Sequence, residues 1–344
     1  MQIDLRTVSI KPLRQTFDAV AAHIGADKPA SRYLEGTIGI QSEDNFHYRP
    51  LWDPDHQIFD ASRTAIRMKD WYQLKDPRQL YYGTYTMARA RMQETAESDF
   101  SFVEERGLAD TYAAPAKSLA LATLLPLRHV EWAGNMNNSF ICAYGYGVAV
   151  TQPCMYAAMD HLGMAQYLTR LGLLLDDAPA LDAAKADWLG AEQWQGLRRY
   201  VEDSFVLKDW FELFVAHNFV LDGLVYPLVY QHIDRKLAEL GGPVVSMLTR
   251  FQTEWYADHI KWVDAALKIA AAESPENKAQ LSAWFKAWRA RAIEAALPIA
   301  QQALGADAQT AMKAVTDQLD ARADRKSTRL NSSHSSVSRM PSSA

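Results

Sequence analysis

The segment MDHLGMAQ, from Met159 to Gln166, lies within a long run of apolar and helix-forming residues. His161 and Met164 stand three positions apart, which places both side chains on one face of a helix. The same spacing separates the two ligands of the Glu-x-x-His motif in metal-binding four-helix bundles. Here His takes the place of Glu, and Met takes the place of His. The segment therefore predicts a metal site, a former metal site or an ordinary helical core.

The composition is that of a globular protein, with 49% hydrophobic and 22% charged residues in 344 positions. Only 16 Gly and 14 Pro favour long regular elements over a loop-rich β protein. The net charge is −5, without a basic stripe, which argues against nucleic acid as a partner. The longest apolar runs, such as LALATLLPL, are too short to span a membrane.

The cellular location is predicted from the opening segment and the cysteines. MQIDLRTVSIKP has no apolar core of the kind that a secretion signal needs. Cys142 and Cys154 form no CxxC pair, which favours two buried thiols in a reducing compartment. We therefore expect a cytoplasmic protein.

Helical periodicity dominates the chain from Asp76 onwards, without strand-like alternation of any length. Two predicted antiparallel pairs, 115–143 with 153–175 and 208–240 with 243–272, have the plan of a ferritin-like bundle. A polar linker is expected at 176–187. The remaining predicted helices cover 78–106, 191–206, 275–304 and 309–322. The predicted fold is all-α, with a ferritin-like domain of long helices over residues 76–323.

The two ends of the chain differ from this domain. Residues 1–75 mix Pro, Asp and aromatics without a helical period, which predicts an irregular N-terminal arm. Aromatic and Arg side chains together are typical of interface anchors, although a self-packed core is the alternative. The last 21 residues, 324–344, are Ser-rich and resemble either a natural disordered tail or a translated sequencing adapter. The candidate interface residues of the arm are Arg49, Trp52, Phe59, Arg67, Trp71 and Tyr72.

A di-iron bundle needs one Glu on the first helix of each pair and one Glu-x-x-His on the second. In this chain no Glu has a His three positions later. The set is too poor in carboxylates for two irons, which require oxygen-rich coordination. The corresponding positions hold Glu131, His161, Met164, Asp222, Tyr256 and His259.

Two long segments resemble the β subunit of bacterial multicomponent monooxygenases, most closely in the phenol hydroxylase branch. They are FHYRPLWDPDHQIFDASRTAIRMKDWYQLKDPRQLYYGTYTMARARMQETAESDF, residues 46–100, and DHLGMAQYLTRLG, residues 160–172. The resemblance covers residues 1–323. It implies a metal-free, non-catalytic chain that keeps the helical fold of its di-iron α paralogue. The α-type run D-E-x-R-H-x-Q would align its Glu and His with His161 and Met164. The six positions are then remnants of a ligand face. From the residues themselves, His161 with Asp160 and Gln166 is expected to form a hydrogen-bonded polar group in the core or at an interface.

The resemblance also implies a function. The parent enzyme would use NADH and oxygen to convert phenols to catechols, in an (αβγ)2 hydroxylase with a coupling protein and a reductase that carries FAD and a 2Fe–2S cluster. Three alternatives stay open: a β subunit of a toluene or alkene monooxygenase, an autonomous oxidase, and a helical scaffold unrelated to oxygen chemistry. The oxidase would build its metal site from Glu131, His161, Asp222 and His259.

Overall fold

The computed structural model describes residues 17–26, 28–38, 49, 51, 53–57 and 59–326, and no residue of these ranges forms a β-strand. The prediction of an all-α bundle is therefore confirmed. The helices are α1 (Asp18–Ile24), α2 (Arg32–Glu35), α3 (Tyr82–Glu105), α4 (Ala114–Leu124), α5 (Leu127–Tyr144), α6 (Val148–Gly190), α7 (Glu192–Ser204), α8 (Trp210–Gly241), α9 (Val244–Leu248), α10 (Arg250–Glu273), α11 (Pro275–Leu304) and α12 (Ala308–Lys326).

Helices α5 and α6 form a closely packed antiparallel hairpin, while α8 runs through the middle of the molecule. By length and composition α8 could cross a membrane, but its most apolar stretch of 18 residues is entirely buried inside this chain, as in the central helix of a bundle. Two stretches of α8 have π-helical hydrogen bonding, Val215–Leu221 and Leu228–Ile233. Such stretches often lie at functional sites, because they change the direction in which side chains point.

The linker predicted at residues 176–187 is helical instead. Helix α6 kinks at Asp176 and Asp177 and then continues to Gly190. Asp177 has φ 61°, a left-handed conformation that a non-glycine residue adopts only when its surroundings compensate. Its side chain accepts a hydrogen bond from the amide of Ala178, and Pro179 follows, which suits the first turn of a helix. The predicted end of the helix near residue 175 therefore coincides with a kink.

The second half of the N-terminal arm is part of the core rather than a free arm. Ile66, Trp71 and Leu74 are buried, and the Trp71 ring packs 5.6 Å from that of Trp210 at the start of α8. The amide of Arg67 donates to Asn277 on α11, which returns a bond to the Arg67 carbonyl. These contacts show that the boundary predicted at residue 75 does not mark the edge of the core.

The C-terminal boundary also needs a correction. Leu319 and Ala323 of α12 are fully buried, and the helix continues to Lys326, past the predicted end of the domain at residue 323. Residues 327–344 of the predicted tail lie outside the described residues.

We expect Trp71→Ala to destabilise the isolated chain by about 3–5 kcal/mol, because it removes a buried indole from a core that cannot fully close. Urea unfolding followed by circular dichroism measures the change. Trp132→Ala is the matched control. Trp132 is 50% exposed, so its replacement should lower the free energy of unfolding clearly less than that of Trp71 does. Equal stability of the two variants would contradict the assignment of Trp71 to the core.

Candidate functional site

The two helix pairs bring the predicted ligand positions together in the middle of the bundle. His161 of α6 and Glu131 of α5 are both buried, and His161 Nδ1 lies 2.6 Å from Glu131 Oε2. Gly134, one turn beyond Glu131, makes room for the imidazole. A Cβ at this position would lie only 2.5 Å from His161 Cγ. The contact therefore depends on a glycine within a helix as well as on the two polar side chains.

Both oxygens of the Glu131 carboxylate accept hydrogen bonds from this chain. The Tyr226 hydroxyl of α8 donates to Glu131 Oε1 at 2.8 Å and lies 3.0 Å from Oε2. It also lies 3.4 Å from the sulfur of Met164, which is completely buried. The imidazole and the phenol therefore compensate the charge of this buried carboxylate without a metal ion.

Asp222 of α8 lies on the other side of His161, among three histidines. Its carboxylate oxygens are 3.7 Å from the Nε2 atoms of His161 and His217 and 3.6 Å from that of His259. These distances are longer than ordinary hydrogen bonds. The three Nε2 atoms and Asp222 Oδ2 have no hydrogen-bond partner among the described residues. Asp222 is therefore surrounded by donors but bonded to none of them.

Burial and neighbouring charge set the protonation of this cluster. Burial raises the pKa of Asp222 to about 7, although the charge of His161 works in the opposite direction. Burial also lowers the pKa values of His217 and His259 well below the ordinary value for histidine. For His161 burial is outweighed by the hydrogen bond to Glu131 and by the charges of Asp222 and Glu131, so its pKa is raised. Of the three histidines, His161 is therefore the one whose surroundings favour the protonated form.

The tautomer of His217 follows from a chain of hydrogen bonds. Ser204 donates its hydroxyl proton to the Val201 carbonyl, so the Ser204 oxygen accepts from the amide nitrogen of Asn137. The same amide nitrogen lies 3.1 Å from His217 Nδ1 and donates to it. The ring proton of neutral His217 must then sit on Nε2, which faces Asp222. A protonated Nε2 has no lone pair to offer a metal.

The residues present do not fit a di-iron centre. Among the described residues the six predicted positions supply only two carboxylates, Glu131 and Asp222, and both oxygens of Glu131 already accept hydrogen bonds. At the position of the second Glu-x-x-His motif, the Tyr256 hydroxyl accepts from the guanidinium of Arg322, a buried cation that is also paired with Asp264. A fixed positive charge at this place opposes a second cation.

The same cluster offers few ligands to a single metal ion. The donor atoms of His161, His217 and Asp222 lie within 4.8 Å of one another. Because His217 presents its protonated nitrogen, two of these three residues could act as ligands. A catalytic metal site usually has three protein ligands.

Asp160 belongs to a separate network, not to a group with His161 and Gln166. Its carboxylate accepts from Arg89 at 2.9 Å, from the Tyr85 hydroxyl at 2.9 Å and from the Trp255 indole at 2.8 Å. Gln166 is exposed. The prediction of one shared polar group is therefore wrong, because successive residues of a helix point about 100° apart. The Trp255 ring connects the two networks, since it stacks on His259 at 4.3 Å.

Sequence reasoning found Glu131, His161, Asp222 and His259 but missed His217 and Tyr226. His217 precedes Asp222 by five positions, a spacing that does not bring two side chains together in an α-helix. It does so here because residues 215–221 form a π-helical turn, in which hydrogen bonds join residues five apart. No local sequence signal indicates this turn.

The predicted interface residues of the arm lie in different environments. Trp71 is buried in the core of its own chain and cannot act as an exposed anchor. Arg49 and Arg67 are exposed, and both guanidinium groups donate to nearby backbone carbonyls. Phe59 and Tyr72 are half-buried, whereas Trp52 lies outside the described residues.

The family is shown by comparison with known proteins. The sequence profile of the Methane/Phenol/Alkene Hydroxylase family matches residues 52–274. The chain belongs to this family. It is 52% identical over 307 residues to the oxygenase component DmpL of phenol 2-monooxygenase from Pseudomonas sp. strain CF600, covering 89% of this chain and 92% of that protein. This similarity confirms the resemblance to phenol hydroxylases found from the sequence.

Two further comparisons agree. The crystal structure of xenon-pressurized phenol hydroxylase from Pseudomonas sp. OX1 has a chain that superimposes with a TM-score of 0.88 at 42% identity, covering 93% of this chain and 97% of that one. The hydroxylase component subunit beta of the toluene-4-monooxygenase system from Ectopseudomonas mendocina is 24% identical over 237 residues, covering 68% of this chain and 72% of that protein. The fold is therefore that of the phenol hydroxylase chain.

We expect Tyr226→Phe to destabilise the chain by about 1–3 kcal/mol, because it removes a hydrogen-bond donor from the buried Glu131 carboxylate. Tyr230→Phe is the matched control on the same helix. The buried Tyr230 hydroxyl has no partner among the described residues, so its removal should be neutral or stabilising. Chemical unfolding measures both changes. Equal losses in the two variants would contradict the role of the Tyr226 hydroxyl.

The raised pKa of Asp222 makes stability depend on pH. Between about pH 4 and 7 the folded chain keeps a proton on Asp222 that the unfolded chain has already lost. The contribution of this group to the free energy of unfolding therefore falls as the pH rises through that range. The free energy of unfolding of Asp222→Asn should therefore rise relative to that of the unmodified chain as the pH increases from 5 to 7.5.

Urea unfolding at several pH values tests this expectation. Asp307→Asn, at an exposed position, serves as the control and should follow the unmodified chain. A stability difference between Asp222→Asn and the unmodified chain that stays constant with pH would show that Asp222 is not the titrating group.

Proposed function

We propose that this chain is the β subunit of the hydroxylase component of a multicomponent phenol monooxygenase. It would support a catalytic α subunit and hold no di-iron centre itself. The observation that carries the proposal is the Glu131–His161–Tyr226 cluster: the side chains at the ligand positions are bonded to one another, not left open for two metal ions. The choice of phenol as the substrate is supported by the 52% identity to an oxygenase component of phenol 2-monooxygenase. The β subunit of the toluene-4-monooxygenase system is only 24% identical.

The di-iron centre, where oxygen would be activated, belongs in this proposal to the α subunit. The contribution of the β chain is mechanical: its helices provide a stable surface for the α subunit. The complete system would also contain a γ subunit, a coupling protein and an NADH-dependent reductase with FAD and a 2Fe–2S cluster, in an (αβγ)2 hydroxylase in the cytoplasm. Substrate specificity would then lie outside this chain, because the substrate would bind beside the α-subunit iron.

An autonomous oxidase is the less supported alternative. It would need Glu131, His161, Asp222 and His259 to act together as ligands. Both oxygens of Glu131 already accept hydrogen bonds from this chain, and the nitrogen of His161 that faces Glu131 is engaged in one of them. The β-subunit proposal explains the same geometry without requiring these residues to rearrange.

Iron analysis and reconstitution test the proposal. The isolated chain, treated with ferrous iron under anaerobic conditions and desalted, should contain far fewer than two irons. Co-expressed with a chain that carries two Glu-x-x-His motifs, it should co-purify with that chain. Phenol hydroxylation in the presence of NADH, oxygen and the other components should fall to background when this chain is omitted. Two irons per isolated chain, or full activity without it, would contradict the proposal.

A further inference from the structure

A cavity of about 680 Å³ lies between the N-terminal arm and the helical bundle. Arm residues between Asp53 and Arg67 form one wall, and the end of α5 forms another. The third wall is the segment 205–209, which joins α7 to α8. We name this space the arm cavity. Its volume falls within the range of about 300–1,000 Å³ that is typical of small-molecule sites.

The apolar part of the arm cavity is largely aromatic. Phe140 and Tyr144 lie one turn apart on α5, with their ring centres 4.6 Å apart. Phe205 and Val206 of the joining segment are 40% and 76% exposed, so a bound molecule would cover apolar surface that now faces water. Aromatic rings pack favourably against other flat rings. These walls therefore favour a ligand with an aromatic ring.

Arg63 supplies a buried polar group with an unused donor in the wall of the same cavity. Its side chain is only 10% exposed, and its guanidinium lies 5.2 Å from the centre of the Tyr144 ring. Nε donates to the Gln57 carbonyl at 3.0 Å, and Nη1 donates to Asp53. Nη2 is buried and has no hydrogen-bond partner among the described residues. A buried donor without an acceptor costs free energy, which an acceptor on a ligand would recover.

The charges around the arm cavity favour an anion. Asp53 is paired with Arg63, and Asp209 accepts hydrogen bonds from three backbone amides. Asp55, the third acid of the wall, is exposed, so solvent and salt screen its charge. Lys208 is also exposed in this wall and forms no ion pair with a described residue. Lys208 and the unused Arg63 nitrogen are therefore the groups left to bind a negative charge.

We propose that the arm cavity binds a small aromatic carboxylate, of which benzoate is the simplest. Its ring lies against Phe140, Tyr144 and Phe205, and its carboxylate accepts from Arg63 Nη2 and the Lys208 ammonium. The site lies outside the Glu131–His161–Tyr226 cluster and needs no partner chain, so the inference is independent of the proposed function. Because its walls come from the arm and from the bundle, a bound ligand joins the two and stabilises the folded chain.

Titration calorimetry with three probes at pH 7 tests the ligand class on the full chain. Benzoate has a ring and a charge, phenol has a ring but is neutral at this pH, and acetate has a charge but no ring. We expect benzoate to bind at least about fivefold more tightly than phenol or acetate, since only benzoate uses both parts of the cavity. Equal affinity for phenol and benzoate, or no binding of benzoate, would overturn the proposal.

Two variants with matched controls locate the binding. Lys208→Met should weaken benzoate binding about fivefold or more, because a charge-assisted hydrogen bond is lost. Lys268→Met, at an exposed lysine of α10 outside the cavity, should bind normally. Arg63→Lys keeps the charge beside Asp53 but removes the second guanidinium nitrogen, and should also bind weakly. Its control is Arg291→Lys, at an arginine that is likewise paired with an aspartate and lies 4.4 Å from an indole ring.

Thermal unfolding gives a second measurement. Benzoate should raise the unfolding midpoint of the unmodified chain and of both controls, because it binds only the folded state. The rise should be smaller in Lys208→Met. This variant changes an exposed side chain, so it keeps the test valid if Arg63→Lys fails to fold. An unchanged affinity for benzoate in Lys208→Met would show that benzoate binds elsewhere and would overturn the proposal.

Discussion

The contact between His161 and Glu131 is the constraint on which the centre of this bundle depends. A buried carboxylate is costly unless it is paired and hydrogen-bonded, and the 2.6 Å bond from the imidazole supplies part of that compensation. The Tyr226 hydroxyl supplies the rest from a third helix. Three helices, α5, α6 and α8, are therefore held in register by a few polar atoms at their shared interface.

The surrounding core adapts to this contact. Gly134 leaves the space that the His161 ring occupies, and the π-helical turn at residues 215–221 brings His217 towards Asp222. The guanidinium of Arg322, paired with Asp264, lies at the far edge of the cluster. The surroundings of His161 favour its protonated form, so His161 and Arg322 are the groups that can balance the buried carboxylates of this cluster.

Much of the fold could be predicted from the sequence, because long helices leave a periodic apolar pattern that needs no tertiary information. The helix pairs, the meeting of the candidate positions Glu131, His161, Asp222 and His259, and the resemblance to phenol hydroxylases all followed from spacing and motif. The tertiary structure decided the rest. It buried Trp71 against Trp210, continued α6 past a kink at Asp177, and separated Asp160 from His161. It also added His217 and Tyr226 to the cluster, since contacts between helices distant in sequence depend on how the helices pack, which no local pattern records.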